Sequence, residues 1–230
     1  MDQQEFLSQL ETRIAKYDLL CHPFYQAWSH GKLTSTDLRE YAAEYYHHVA
    51  AFPSYLSAFH SRLQDGAMRK AVAENCADEE GVGSPDGRSH AQLWMDFVAG
   101  FGGSEQDVQS RRPVNEVLEL ISSFRRIARE GSSAEALAAF YAYESQVPRV
   151  AKEKTRGLKE MYGADAKACR YFTLHTTADL RHSQVWRELL SKEAVDDASA
   201  SRALDAAESA AKSLWNALDG IERARLARIA

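Results

Sequence analysis

The stretch HTTADLRHSQVW, residues 175–186, contains the most informative polar pattern in the sequence. Its polar residues His175, Asp179 and His182 are separated by four and then three positions. Because an α-helix advances by about 100° per residue, the three side chains lie within a roughly 60° arc of one helix face. Apolar neighbours such as Val185 indicate that this face is partly buried. The spacing therefore predicts a helix whose inner face carries two imidazoles and one carboxylate.

This set of side chains has the composition of a site for a first-row transition metal, above all non-haem iron or manganese. A buried His–Asp–His group costs free energy unless a metal ion or polar partners satisfy it. The alternative interpretation is a polar surface face on which the three residues fall together by chance.

A helical period of apolar residues continues over nearly the whole chain, and no run of alternating β-branched residues predicts a strand. We expect Thr34 to cap one long helix, Pro53 to kink it and Pro148 to kink another. The predicted fold is an all-α bundle of seven or eight helices joined by short loops. The helical segments cover residues 3–17, 34–63, 67–80, 90–101, 113–130, 133–162, 165–191 and 197–218, and residues 22–30 form a short helix or turn.

Length and composition favour one globular domain over residues 1–230. Of the 230 residues, 45% are hydrophobic and 27% are charged, which permits a sizeable core and argues against disorder. The longest irregular stretches, residues 81–89 and 102–112, lie inside the helical pattern and do not mark a domain boundary.

Charge and cysteine content restrict the expected partners and compartment. The net charge of −5 argues against nucleic-acid binding, and the arginines between residues 111 and 129 are interpreted as a solvated helix face. Cys21, Cys76 and Cys169 are odd in number and far apart, so they do not form a disulfide framework. No apolar run approaches the roughly 18 residues that span a bilayer, and the N-terminus does not have the pattern of a signal peptide. We expect a cytoplasmic protein without a nucleic-acid or membrane partner.

Metal sites in helical bundles draw ligands from several facing helices, so further carboxylates and imidazoles are expected on other helices. Glu79 and Glu80 end one predicted helix, and His90 begins the next. Glu144 lies in the otherwise apolar run ALAAFYAYESQVP, where a buried charge is costly unless it is paired or bound to a metal. The alternatives are an acidic helix end for Glu79 and Glu80, and a solvent-facing Glu144. With residues 175–186, these side chains are enough for two metal ions.

Tyrosines occur close to the predicted ligands. Tyr171 precedes His175 by four residues, Tyr143 is adjacent to Glu144, and Tyr25 lies in the segment HPFYQAW. Tyrosines on helix faces usually belong to a core or an interface. A phenol beside an oxidising metal centre can also relay electrons or be oxidised itself.

Five segments resemble the haem-oxygenase-like bundle proteins, a superfamily that includes TenA and PqqC. The closest similarity is to the chlamydial death-domain-associating protein group, abbreviated CADD, and its bacterial relatives. The spacing H-x3-D-x2-H separates the dimetal members from TenA and PqqC, and the resemblance covers almost the whole chain. The segments are HPFYQAWSHGKLT (22–34), NCADEEG (75–81), SHAQLW (89–94), AYESQVPRVAKEKTRGL (142–158) and HTTADLRHSQVW (175–186).

The resemblance implies an unusual oxygenase. CADD-like proteins are similar to self-sacrificing para-aminobenzoate synthases, in which a dimetal centre activates dioxygen and a tyrosine of the protein becomes the aromatic ring of the product. The matching sacrificed tyrosine is Tyr25, and the matching amino donor is Lys154. Tyr143 and Tyr171 match tyrosines that assist the oxidation. The matching metal ligands are Glu79, His90, Glu144, His175, Asp179 and His182.

The same resemblance implies Fe/Fe or Fe/Mn as the two ions, dioxygen, an external reductant and a homodimer. Glu80 is the alternative to Glu79, and Lys152 is the alternative to Lys154. Lys154 is ten residues beyond Glu144, about 15 Å along an ideal helix, so it needs the Pro148 kink or a flexible reach to approach Tyr25.

Two other functions are compatible with the sequence. The metal centre could act on an external small substrate, such as an amine or a fatty acid. The chain could instead be a non-catalytic helical interaction protein, in which case it would bind no metal.

Overall fold

Twelve α-helices and no β-strand make up the described part of the protein, a computed structural model in which residues 1–194 and 196–229 are described. The all-helical prediction is confirmed. A 3₁₀ turn, Leu19–Cys21, precedes the second helix. The helices are α1 (Gln3–Ala15), α2 (Pro23–Ser29), α3 (Ser35–His60), α4 (Ala67–Glu79), α5 (His90–Gly100), α6 (Glu105–Ser110), α7 (Asn115–Glu130), α8 (Ser133–Glu144), α9 (Val147–Glu160), α10 (Arg170–His175), α11 (Ala178–Glu193) and α12 (Asp197–Ile229).

Two of the predicted long helices are each divided in the structure. The segment 133–162 separates into α8 and α9, and Pro148, which cannot donate a backbone hydrogen bond, lies in the first turn of α9. The prediction of one helix kinked at Pro148 was therefore wrong. The segment 165–191 separates into α10 and α11 at Thr176 and Thr177, where hydrogen bonds from residue i+3 to residue i, including Thr177 N to Leu174 O at 3.2 Å, replace the α-helical pattern.

The remaining differences lie at helix ends. Helix α6 forms within a stretch that was predicted to be irregular, because Ser104 and Asp107 make a capping box at its start. Helix α12 extends to Ile229 rather than ending at residue 218, and Arg228 near its end contacts Asp37 at 3.3 Å. Thr34 caps α3 as predicted, and α3 continues through Pro53.

One hydrophobic core unites these helices, and α8 runs through its interior. Helix α8 packs against α11 and α12, while α3 packs against α4, α5 and α7. Nearly every residue of α8 is buried, so its last residue, Glu144, is carried into the interior. None of the described helices combines the length and the apolar character that a membrane crossing requires.

Candidate active site

Six buried polar side chains converge from the ends of five helices. Each is at most 5% exposed to solvent, so water does not compensate their polarity. Two lie at the end of α4 and the start of α5, one at the end of α8, one at the end of α10 and two near the start of α11. They are Glu79, His90, Glu144, His175, Asp179 and His182.

These six residues form two clusters, and in each cluster three donor atoms lie within 4.8 Å of one another. The first cluster contains Glu79, His90 and His175, and thus one carboxylate and two imidazoles. The second contains Glu144, Asp179 and His182, and thus two carboxylates and one imidazole. The structure therefore brings together all six residues that the sequence singled out, in the numbers expected for two metal ions.

The arrangement differs from the expected stripe on a single helix. His175 ends α10 and belongs to the first cluster, whereas Asp179 and His182 lie on α11 and belong to the second. The break at Thr176 and Thr177, where the α-helical hydrogen-bond pattern is interrupted, lies between them. The prediction that these three side chains share one helix was wrong, although all three face the interior.

In the first cluster, imidazole nitrogens point toward a shared space. The Nδ1 atom of His175 donates a hydrogen bond to the Tyr171 carbonyl oxygen at 2.7 Å, which leaves Nε2 free to bind a metal. The Nδ1 atom of His90 lies 2.9 Å from Oε2 of Glu79 but has no hydrogen-bond partner. A buried nitrogen without a partner, next to a carboxylate, is what an absent cation would leave.

In the second cluster, polar residues around the site orient the donor atoms. His182 donates from Nε2 to Oδ2 of Asp78 at 3.0 Å, which turns its unpartnered Nδ1 toward the carboxylates of Asp179 and Glu144 at 3.5 and 3.6 Å. Glu144 accepts hydrogen bonds from Asn75 Nδ2 at 3.0 Å and from the indole nitrogen of Trp186. Ligands held by outer hydrogen bonds in this way are typical of metal sites.

Burial disfavours charged side chains in the first cluster, whereas the carboxylates of the second cluster favour a positive charge on His182. Burial raises the pKa of the Glu79 carboxyl to about 8 and that of Asp179 to about 6, while it lowers the pKa of His90 to about 4. Burial also lowers the pKa of His182, but the neighbouring carboxylates of Asp179 and Glu144 outweigh it and raise the value to about 11. The second cluster thus draws a proton onto His182 where a cation would otherwise balance the carboxylates.

Tyr25 and Lys154 meet in the interior beside these clusters. The Nζ atom of Lys154 lies 2.9 Å from the phenol oxygen of Tyr25, and both side chains are less than 5% exposed. The phenol oxygen of Tyr41 lies 3.0 Å from that of Tyr25 and also contacts Nζ. Lys154 reaches Tyr25 from α9, which begins at Val147, after the break that follows Glu144.

The close approach of α2 and α9 that makes this contact possible depends on a glycine. A β-carbon at Gly157 would lie 2.8 Å from the indole ring of Trp28, so only glycine lets the two helices pack this closely. Trp28 lies one turn beyond Tyr25 on α2, and Gly157 lies one turn beyond Lys154 on α9.

A cavity of about 30 Å³ lies between the Tyr25–Lys154 pair and the tyrosines next to the clusters. Tyr143 and Tyr171 line it, together with Tyr45 and Trp94. Its volume suits one or two water-sized molecules. The Tyr171 ring stacks on that of His175 with centroids 4.0 Å apart, and it meets the Trp94 ring at 4.7 Å.

Burial and contacts differ within the two pairs of residues that the sequence left open. Glu79 is buried in the first cluster while Glu80 is exposed, and Lys154 is buried against Tyr25 while Lys152 is exposed. Sequence reasoning missed Tyr41 and Asp78. Tyr41 is 16 residues from Tyr25 and Asp78 is 104 residues from His182, so no local spacing could have revealed either contact.

The chain is similar in sequence to known redox enzymes. The family described as "iron-containing redox enzyme" matches residues 39–215. The 4-aminobenzoate synthase of Chlamydia muridarum is 40% identical over 215 residues, which cover 93% of this chain and 89% of the relative.

Solved structures show the same fold. A domain of unknown function with a haem-oxygenase-like fold from Shewanella denitrificans OS217 superposes with a TM-score of 0.81 at 17% identity, covering 98% of this chain and 94% of the other. A CADD-like protein of unknown function from Nostoc punctiforme PCC 73102 gives a TM-score of 0.72 at 17% identity, with 95% and 98% covered. The predicted haem-oxygenase-like fold and the resemblance to the CADD group are confirmed. The chain therefore belongs to the iron-containing redox enzymes, in the group that includes the chlamydial 4-aminobenzoate synthase.

Proposed function

We propose that this protein is a dioxygen-dependent enzyme that forms 4-aminobenzoate from its own Tyr25 side chain, with Lys154 as the amino donor. The observation that carries the proposal is the 2.9 Å contact between the Tyr25 phenol oxygen and the buried Lys154 amine. This contact joins the two side chains that supply the ring and the nitrogen of such a product. The name of the chlamydial relative supports the identity of the product.

Two metal ions would be held by Glu79, His90 and His175 in one cluster and by Glu144, Asp179 and His182 in the other. The unpartnered nitrogens of His90 and His182 fit this role, and mixed carboxylate and imidazole donors suit iron or manganese, as an Fe/Fe or Fe/Mn pair. When bound, the ions would supply the activation of dioxygen, with electrons from an external reductant.

The residues around Tyr25 prepare the ring and the amine. Burial among aromatic rings lowers the pKa of Lys154 well below its ordinary value, which favours the neutral amine, the form that can bond to carbon. Burial raises the pKa of the Tyr25 phenol, so the ring keeps its proton until it is oxidised. Tyr41 fixes the phenol oxygen beside the amine through its contacts with both groups.

The overall conversion requires three changes at Tyr25. The benzylic carbon is oxidised to a carboxylate and its bond to the α-carbon is broken, which leaves glycine at position 25. The Lys154 nitrogen bonds to the ring carbon as the phenol oxygen leaves as water, and the Cε–N bond of the lysine breaks with Cε oxidised to an aldehyde. Dioxygen is the oxidant, and the reductant supplies the remaining electrons. Tyr171 and Tyr143 would relay electrons, because Tyr171 stacks on His175 and both line the cavity next to Tyr25.

The small cavity argues against an external substrate. A volume of about 30 Å³ beside the Tyr25 ring does not accommodate a fatty acid or an aromatic amine. A purely structural role as an interaction protein is also disfavoured. Two buried carboxylate–imidazole clusters would cost folding free energy without contributing to a surface that binds a partner.

We further propose, from the resemblance, that residues 1–230 act as one domain, as a homodimer in the cytoplasm.

The direct test is a single-turnover reaction of purified full-length protein. We expect that iron, or iron with manganese, together with reductant and oxygen, removes the mass of a tyrosine side chain from the intact protein. Peptide mapping should place that loss at Tyr25, and 4-aminobenzoate should appear in solution. An unchanged intact mass at every tyrosine would refute self-sacrifice, and repeated turnover of an added amine or fatty acid would favour the external-substrate function.

A second prediction concerns metal affinity at the second cluster. Asp78→Ala removes the carboxylate that orients His182, and loss of such an outer partner typically weakens metal binding about 10- to 100-fold. Glu74→Ala is the matched control, because Glu74 is an exposed acid on the same helix and its removal changes net charge equally. Equilibrium dialysis with Fe(II) or Mn(II) measures the effect. Equal affinities in the two variants would show that Asp78 does not position His182.

A further inference from the structure

The surroundings of the Tyr25 ring have the features of a ligand-binding pocket. The ring is 3% exposed and is enclosed by Phe24, Tyr41 and Lys154, with Nζ of Lys154 at 4.3 Å from the ring centroid. The adjoining cavity continues past it toward Trp94. These contacts involve the side chain of Tyr25, so the surrounding residues recognise the phenol itself.

The polar end of the pocket is built for a hydroxyl group. Nζ of Lys154 and the phenol oxygen of Tyr41 lie 2.9 and 3.0 Å from the Tyr25 oxygen, and both side chains are more than nine-tenths buried. In the part of the chain that the structure describes, Lys154 forms no ion pair with a carboxylate. Removing the Tyr25 ring would leave the Lys154 amine and the Tyr41 hydroxyl bonded to each other but without the hydroxyl that both contact now. A buried, aromatic-lined space with two such polar groups favours a ligand that can hydrogen-bond.

We propose that this pocket is a binding site for free para-substituted phenols, and that Tyr25 is its covalently attached occupant. The site would then bind a phenol specifically even when Tyr25, which normally fills it, is replaced by a smaller residue. The proposal goes beyond the oxidation of Tyr25 and does not require it, because the pocket exists before any reaction.

The test uses the full-length Tyr25→Gly protein without added metal and 4-methylphenol, which is the tyrosine side chain carrying a hydrogen in place of the backbone. We expect Tyr25→Gly to bind 4-methylphenol in titration calorimetry with a Kd of about 0.1–1 mM, a range suited to so small a ligand. Toluene, which lacks the hydroxyl, should bind at least about tenfold more weakly. Wild type and Tyr25→Phe should bind neither compound, because a ring already fills the pocket.

A double variant measures the contribution of the polar end to binding separately from that of the cavity. In Tyr25→Gly/Lys154→Met, the preference for 4-methylphenol over toluene should fall, since one of the two polar groups is gone. If Tyr25→Gly is poorly folded, Tyr25→Ala and recovery of helical circular dichroism by 4-methylphenol are measured instead. The proposal is overturned if the folded variants bind neither compound or bind both equally, or if 4-methylphenol restores no helical signal to an unfolded one. Because no metal or oxygen is used, failure here leaves the proposed synthesis of 4-aminobenzoate untouched.

Discussion

Tyr25→Phe is expected to abolish 4-aminobenzoate formation while leaving the fold intact. Phenylalanine keeps the buried ring but removes the oxygen that contacts Lys154 and Tyr41, so the ring loses both its alignment and the position at which nitrogen enters. We expect product yield to fall by at least about 100-fold, the scale on which positioned catalytic groups contribute. Product is measured by liquid chromatography after a single turnover with metal, reductant and oxygen.

Tyr55→Phe is the matched control for this prediction. Tyr55 is fully buried and its hydroxyl has no hydrogen-bond partner among the described residues, so the same chemical change occurs in the core without affecting the Tyr25 contacts. Its product yield should equal that of wild type, and both variants should retain the helical circular dichroism of the parent. Undiminished product from Tyr25→Phe would show that another ring is the source.

Lys154→Met is expected to remove the amino donor and, at the same time, to stabilise the protein. Methionine has a similar length and packs well in irregular apolar space. Burial among aromatic rings holds the pKa of Lys154 well below its ordinary value, so folding disfavours the charged form of the wild-type lysine. We therefore expect no 4-aminobenzoate from this variant and a higher free energy of unfolding than wild type in urea denaturation.

Lys152→Met tests which lysine donates nitrogen. Lys152 is exposed on the same helix, so its replacement should leave product formation unchanged. Protein grown with isotopically labelled lysine side chains should yield labelled 4-aminobenzoate from wild type and from Lys152→Met. If the label were absent from the product, neither lysine could be the donor.

The stability difference between Lys154→Met and wild type should depend on pH with a defined sign. The folded pKa of Lys154 is lowered, so the unfolded chain binds more protons than the folded one between that lowered pKa and the unfolded value of about 10.4. In this window, wild-type stability rises with pH relative to the variant, by up to about 1.4 kcal/mol per pH unit. The advantage of Lys154→Met should thus be largest at low pH and should shrink as pH rises. A constant difference would mean that Lys154 stays protonated in the folded protein.

The amino-acid sequence by itself determined the helical class of this protein and the side chains that make up its polar interior. Apolar residues that recur every three or four positions predict helices, because each helix must bury one face. This pattern is visible within a few consecutive residues. The spacing of His175, Asp179 and His182 is likewise local, as is the isolation of Glu144 within an apolar run. The functional interpretation of Tyr25 came from resemblance, because no local pattern distinguishes it from an ordinary core tyrosine.

Tertiary structure alone decided how these side chains are grouped. The breaks before Val147 and at Thr176 divide segments that the apolar period predicts as continuous helices. A proline in a first turn and a short run of tighter hydrogen bonds interrupt the α-helical pattern there without interrupting the apolar period. The breaks lie between the candidate metal ligands of the two clusters. Lys154, on the helix after the first break, contacts Tyr25, which is 129 residues away in sequence. Contacts of this kind depend on how helices pack, as at Gly157, and packing follows from side chains that are distant in sequence and adjacent only in the folded protein.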